Sequence, residues 1–169
     1  MNKLSIIIPV YNACKYLKRC VDTLYMQDLD IEDFEIIMVN DGSTDNSYEI
    51  AQKIESEHSN IKLFTQENAG SSVARNNALE HVEGKYVIFV DSDDFLIPYT
   101  LKKVLLYADK NDLDICSYKM LVEVTRHDFI GAEQSLPKYT IMSGKEAILN
   151  HLNFGSVCIS VYSYERFIW

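Results

Sequence analysis

A chain of 169 residues, 47% of them hydrophobic, is long enough to bury one core and short for two ordinary domains. Its formal net charge of −9 and pI near 4.8 argue against a nucleic-acid partner, which requires a basic face. No apolar run reaches the length of a membrane span, although a peripheral association with the inner face of a membrane would leave no trace in such a sequence. Cys14, Cys20, Cys116 and Cys158 form neither a Cys-x-x-Cys pair nor a zinc spacing. With no secretory signal read ahead of them, reduced thiols in a cytoplasmic protein are the expectation. The four histidines are scattered and read as surface or capping residues.

In chain order, Leu4 to Val10 is an apolar run expected to form a strand that ends or bends at Pro9, which cannot donate to a sheet ladder. A helix is predicted from Cys14 to about Gln27, with Leu17, Cys20, Val21, Leu24 and Tyr25 as its inward stripe. Phe34 to Val39 is a second strand, closed by Asn40-Asp41-Gly42-Ser43-Thr44-Asp45, and Ser47 to Glu57 is a helix that Asp45 or Asn46 can cap. Ile61 to Phe64 is a short strand. The loop Gln66 to Gly70 leads to a helix running to about His81 and capped by Ser71 or Ser72. Tyr86 to Val90 is a buried strand that runs into Asp91, Asp93 and Asp94.

Beyond Pro98, Leu101 to Tyr107 reads as a helix, Ile115 to Thr125 as one strand, and Arg126 to Tyr139 as irregular. Ser143 to Glu146 opens a helix with Ala147, Ile148, Leu149 and Leu152 on its apolar side, and Phe154 to Trp169 mixes β-formers and aromatics. The apolar, uncapped end at Ile168-Trp169 is expected of a truncated chain rather than a natural terminus.

Strands alternating with helices imply an α/β fold, a central, mostly parallel sheet flanked by helices with right-handed crossovers. Such a sheet binds ligands beyond the carboxyl ends of its strands. That edge collects Tyr11, Asp41 and Asp91. A carboxylate such as Asp41 can accept from an imide N–H, a tyrosine ring can lie against a base, and a guanidinium such as Arg75 suits phosphate. Asp91 can accept from ribose hydroxyls, and Asp93 can meet a hard cation, Mn²⁺ or Mg²⁺, that bridges phosphates. Each residue also has a plain structural role open to it: loop packing for Tyr11, a turn before Gly42 for Asp41, a surface ion pair for Arg75, an acidic turn and helix cap for Asp91 to Asp94. The Gly-rich dinucleotide fingerprint and the P-loop are both missing, which argues against an NAD enzyme or an ordinary ATPase.

Four stretches taken together carry a resemblance. Ile6-Ile7-Ile8-Pro9-Val10-Tyr11-Asn12, Val39 to Asp45, Asn68-Ala69-Gly70 with Ala74-Arg75-Asn76, and Phe89-Val90-Asp91-Ser92-Asp93-Asp94 resemble, in order, the motifs of family 2 glycosyltransferases with the Rossmann-like GT-A fold. The resemblance covers roughly residues 4 to 98. It implies a nucleoside-diphosphate sugar donor, usually of uridine, and metal-dependent transfer with inversion to a glycan or lipid-linked acceptor, as in polysaccharide biosynthesis. By position it puts Pro9, Tyr11, Asn12, Asp41, Gly42, Arg75, Asp91 and Ser92 at the nucleotide and Asp93 at the metal. It also implies a single domain over 1–169, with residues 1–98 as the nucleotide-binding half and 99–169 as the start of an acceptor half.

The resemblance leaves the catalytic base unassigned. Inversion needs a carboxylate to take the acceptor proton, the family places it downstream of Asp-x-Asp, often in a Glu-Asp pair, and no such pair follows Asp93. Glu165 to Trp169 does not match the Gln-x-x-Arg-Trp motif of processive members. Two further readings stand beside the enzyme: a non-catalytic nucleotide-sugar-binding module, and a phosphatase or phospho-acceptor domain using Asp91, which lacks a partner lysine at the next strand end. Donor sugar, acceptor and oligomeric state are not legible.

Overall fold

The computed structural model describes residues 4–119, 121–124, 128–131 and 158–163, with side chains over 4–116. Two compact units divide the chain, Met1–Cys116 with Ser160–Trp169, and Ser117–Ile159. In the first, β1 (Leu4–Val10), β2 (Phe34–Asp41), β3 (Ile61–Gln66) and β4 (Tyr86–Phe89) pair in parallel in the order β3-β2-β1-β4. Between them run α1 (Leu17–Leu24), α2 (Ser47–Glu57) and α3 (Ser71–Leu79), and α4 (Leu101–Lys110) follows. This is the mostly parallel sheet with flanking helices that the alternation of patterns predicts.

Every residue of β1 and β2 is buried, which explains why Ile6–Val10 and Ile36–Val39 are apolar without alternation, while the buried Ser5 hydroxyl donates to Glu35 Oε1 (2.6 Å). On one face, Ala74, Ala78 and Leu79 of α3 pack on Ile7, Ile37, Val39 and Val87. The small alanines let helix and sheet approach closely. Each fully buried Ile or Leu of this core contributes about 1.5–3 kcal/mol. Helix α1 buries Leu17, Cys20, Val21 and Leu24, the stripe expected of it, while Tyr25 is only partly covered and sets its ring edge-on to Phe34, with centroids 5.5 Å apart.

Several boundaries differ from expectation for identifiable reasons. Strand β1 does not stop at Pro9: Pro9 stays in register opposite Val39 of β2. The Val90 N–H donates to the Ile7 carbonyl on the β4 side (2.9 Å), so two residues on the Pro9 nitrogen also faces that side, past the last paired residue of β4. The missing donor therefore removes no ladder bond. Neither Ser71 nor Ser72 caps α3; Gly70 does, at φ +92°, a conformation that glycine adopts without penalty. The run from Ile115 is two strands, β5 (Ile115–Lys119) and β6 (Leu121–Val124), and β6 pairs antiparallel with β7 (Asp128–Gly131), inside a stretch expected to be irregular. The last strand, β8 (Cys158–Ser163), lies antiparallel to β4, and the full sheet order is β3-β2-β1-β4-β8-β5. The predicted helix opening at Ser143 and the terminus at Ile168-Trp169 lie outside the described residues.

Candidate functional site

In the order β3-β2-β1-β4 the chain steps outward from β1 to β2 and β3 and then crosses to the other side of β1 as β4, and ligands bind at the carboxyl ends of strands around such a reversal. A cleft of about 360 Å³ lies there. Pro9, Val10 and Tyr11 enter it from the end of β1, Asp41 from the end of β2, Asn68, Gly70, Ser71 and Arg75 from the loop before α3 and α3 itself, and Asp91, Ser92 and Asp93 from the end of β4. The fold thus draws seven of the nine residues singled out in the sequence into one concavity. The other two, Asn12 and Gly42, are absent from its lining.

Those two residues shape the rim. Asn12 has a left-handed φ of +50° and its side-chain oxygen accepts from the Thr44 N–H (2.8 Å), while its own N–H donates to Ser43 Oγ (3.2 Å). Gly42, at φ +65°, lies beneath the incoming loop: a β-carbon there would sit 2.7 Å from the Asn68 nitrogen. Asp45 extends the support. Its carboxylate accepts from the Ser47 hydroxyl and N–H and from the Cys14 N–H, and these hydrogen bonds, the Ser47 hydroxyl foremost, hold its pKa down at about 2.

Asp41 is 2% exposed, and its carboxylate is largely occupied within the protein. Oδ1 accepts from Gln66 Nε2 and the Ala69 N–H, both at 2.8 Å, and Oδ2 accepts from the Gly70 N–H at 2.9 Å. A carboxylate has about four acceptor positions. Three described donors leave one of them, on Oδ2, for a ligand N–H. Asp41 is therefore a loop anchor first, a role that its sequence context as a turn residue before Gly42 does not reveal.

Across the cleft, Arg75 Nη2 pairs with Asp91 Oδ1 at 2.5 Å, and Nη1 donates to Ser71 Oγ at 3.4 Å. Arg75 Nε is buried with no partner among the described residues, so the guanidinium keeps donor capacity directed within the protein wall. Tyr11 is half exposed beside them, leaving its ring face available for stacking. Asp93 and Asp94 follow in a turn closed by the Asp94 N–H to the Asp91 carbonyl (3.0 Å). Burial, then the charges of Asp93 and Asp91, push the Asp94 carboxyl above its ordinary value. Beneath the turn, the buried Cys20 thiol donates weakly to the Asp91 carbonyl (3.6 Å), and burial, then the three aspartates, raise it to about 12.

Among the described residues, no three His, Cys, Asp or Glu side chains are gathered for a metal ion. Mg²⁺ and similar hard cations are commonly held by one or two carboxylates together with substrate phosphates. Asp93 in the cleft is a carboxylate of that kind, with Asp94 beside it and Asp91 already paired to Arg75.

Comparison with known proteins identifies relatives of the chain. The chain is 46% identical over 114 residues to the uncharacterized glycosyltransferase YibD of Escherichia coli K12, an alignment covering 68% of this chain and 33% of that protein. The solved structure of Staphylococcus aureus TarS 1–349 in complex with UDP-GlcNAc matches with a TM-score of 0.61 and 36% identity over 67% of this chain and 33% of that one. The mannosyltransferase PcManGT from Pyrobaculum calidifontis, in complex with GDP-Man and Mn²⁺, matches with a TM-score of 0.55 and 26% identity over 57% of this chain and 29% of that one. The chain thus spans about a third of the length of each of these three proteins. Its α/β fold is the GT-A fold that the motifs imply. Residues 5–166 match the family model described as Glycosyl transferase family 2, and the chain belongs to that family.

Proposed function

We propose that this chain is the donor-binding part of an inverting glycosyltransferase that takes a sugar from a uridine diphosphate sugar, with a divalent metal, and delivers it to the hydroxyl of a glycan or lipid-linked acceptor. The observation that carries this reading is the convergence of Tyr11, Asp41, Arg75, Asp91 and Asp93 on one cleft at the carboxyl edge of the sheet. UDP-GlcNAc in the TarS relative, at 36% identity, supports uridine over other bases. In this reading residues 1–98 form the nucleotide half and 99–169 begin the acceptor half. A cytoplasmic location, at the inner face of the membrane, belongs to the same proposal.

The roles follow from each group's chemistry. Tyr11 stacks on the base, with Pro9 beside it, while the one open acceptor position of Asp41 takes the imide N–H. Arg75 gives up part of its pairing with Asp91 to the incoming nucleotide, which frees Asp91 to accept from the ribose. Asp93 holds the metal, with Asp91 and Asp94 near it. When bound, that cation neutralises charge on the leaving diphosphate. The acceptor oxygen then bonds to the anomeric carbon as the bond to the diphosphate breaks, and a carboxylate base takes the acceptor proton. In this reading Asp91 is engaged by the ribose and Asp93 by the cation, so neither of them is that base.

Calorimetric titration with UDP, with and without Mn²⁺, tests the reading. Mn²⁺ should tighten UDP binding by about tenfold or more, and Asp93→Asn should abolish that gain without lowering the melting temperature. Equal affinity with and without Mn²⁺ in the wild-type chain would overturn it. The second reading is a binding module without catalysis. Donor hydrolysis by this chain that disappears in Asp93→Ala would exclude that alternative.

A further inference from the structure

Asp91 and Asp93 of the cleft sit on a segment, residues 91–100, that is coil or turn from the end of β4 to the start of α4. Such a segment has no helix or ladder bonds of its own, so its buried backbone groups need partners elsewhere. Gln27, just beyond α1, is 0% exposed and makes every bond its carboxamide can make. Its Nε2 donates to the Thr23 carbonyl (2.8 Å) at the end of α1 and to the Ile97 carbonyl (3.1 Å). Its Oε1 accepts from the N–H groups of Thr100 (3.0 Å) and Leu101 (3.1 Å), two of the donors that a helix start leaves unpaired, in a helix with no side-chain cap of its own.

Thr23 completes the arrangement. Its hydroxyl donates to the Cys20 carbonyl (2.8 Å) and accepts from the Leu96 N–H (3.1 Å). The main chain adds Tyr99 N–H to the Met26 carbonyl (3.0 Å), where Tyr99 holds a left-handed φ of +63° that a bulky side chain rarely adopts unless its surroundings enforce it. The segment bearing Asp91 and Asp93 is thus fastened along the carboxyl-terminal end of α1, and the fastening is made of side chains that never reach the cleft.

We propose that Gln27, assisted by Thr23, is a positioning residue for the cation and diphosphate end of the cleft: it fixes the 91–100 segment so that Asp93 and Asp91 meet the metal and nucleotide in a preset geometry. The proposal rests on the donor reading above. A carboxamide is required because the position must present two donors on one side and two acceptor positions on the other. Glutamate loses both donors, and methionine, of similar length, leaves the carbonyls of Thr23 and Ile97 and the N–H groups of Thr100 and Leu101 unpaired.

The test titrates UDP with and without Mn²⁺ into wild type, Gln27→Met, Thr23→Val and Thr23→Ser. Asn60→Ala is the control, because Asn60 bonds the Phe34 carbonyl and the Tyr25 hydroxyl outside the cleft lining. In Gln27→Met the Mn²⁺-dependent gain should fall by about tenfold while metal-free UDP binding changes less than about twofold. Thr23→Val should show a smaller loss of the same gain, and Thr23→Ser, which keeps the hydroxyl, should restore it; this pair decides the matter if Gln27→Met does not fold. General loosening would lower both affinities and would do so in Asn60→Ala as well. Wild-type Mn²⁺ dependence in both Gln27→Met and Thr23→Val, or equal losses in Asn60→Ala, would overturn the positioning role alone. Absence of Mn²⁺ dependence in the wild type would instead overturn the donor reading, and this proposal with it.

Discussion

Replacing Asp41 by Asn keeps the size and shape of the side chain and removes one acceptor atom. The native carboxylate accepts from Gln66 Nε2, the Ala69 N–H and the Gly70 N–H, all within 2.9 Å and at a site 2% exposed. In the least costly orientation the new NH₂ faces Gly70, so one charge-assisted bond is lost, the Gly70 N–H is left unpaired against another donor, and the remaining two bonds become neutral. A lost charge-assisted bond with a stranded partner costs about 2–4 kcal/mol. For a chain of this size that corresponds to a fall in Tm of roughly 4–16 °C. Urea denaturation with linear extrapolation checks it, with the slope unchanged and the midpoint lowered. Protease cutting at 66–70 should accelerate as well, because this loop is what the carboxylate holds. A stability change under about 0.5 kcal/mol, the ordinary surface value, would refute the assignment of Asp41 as the loop's anchor.

Two further outcomes concern the rim. Gly42→Ala combines a φ of +65° with a β-carbon 2.7 Å from the Asn68 nitrogen, and should cost about 2–3 kcal/mol by thermal denaturation and weaken UDP binding as the 66–70 loop shifts; unchanged Tm would contradict it. Asp45 is held at about 2, below its ordinary value of 3.8, so its contribution is present above pH 3.8 and is lost as pH falls toward 2. Acid titration of stability should therefore be flatter over that interval in Asp45→Asn than in wild type, and superimposable profiles would refute the assignment.

What the sequence reveals here is what has a period or a motif. The β1, β2 and β4 runs are apolar because both faces of the sheet are covered, and the residues that follow them, Tyr11, Asp41 and Asp91, are brought together by parallel topology alone. Interactions between distant residues leave no such mark. The amide of Gln27 meets Leu101 across 74 positions, and nothing local distinguishes it from any polar residue after a helix. Likewise Gly70 takes the cap from Ser71 because its N–H is already held by Asp41, 29 residues earlier, and the chain must turn there through a left-handed conformation. The run from Ile115 to Thr125 has uniform β-forming composition and so reads as one strand, while the nearby partner Asp128–Gly131 gives β6 a local hairpin of its own.

The placement of β1 between β2 and β4 also orders events during synthesis. The first strand made obtains one neighbour about 30 residues later and the other only when Tyr86–Phe89 exists. From the end of β2 at Asp41 to the end of β4 at Phe89, a ribosome adding 5–20 residues per second takes on the order of 2–10 s. Throughout that interval one edge of a mostly apolar strand stands open, the kind of edge that recruits other chains. Docking of β4 closes the edge and, in the same step, brings Asp91 to Arg75. The cleft is therefore completed by the event that covers the second edge of β1.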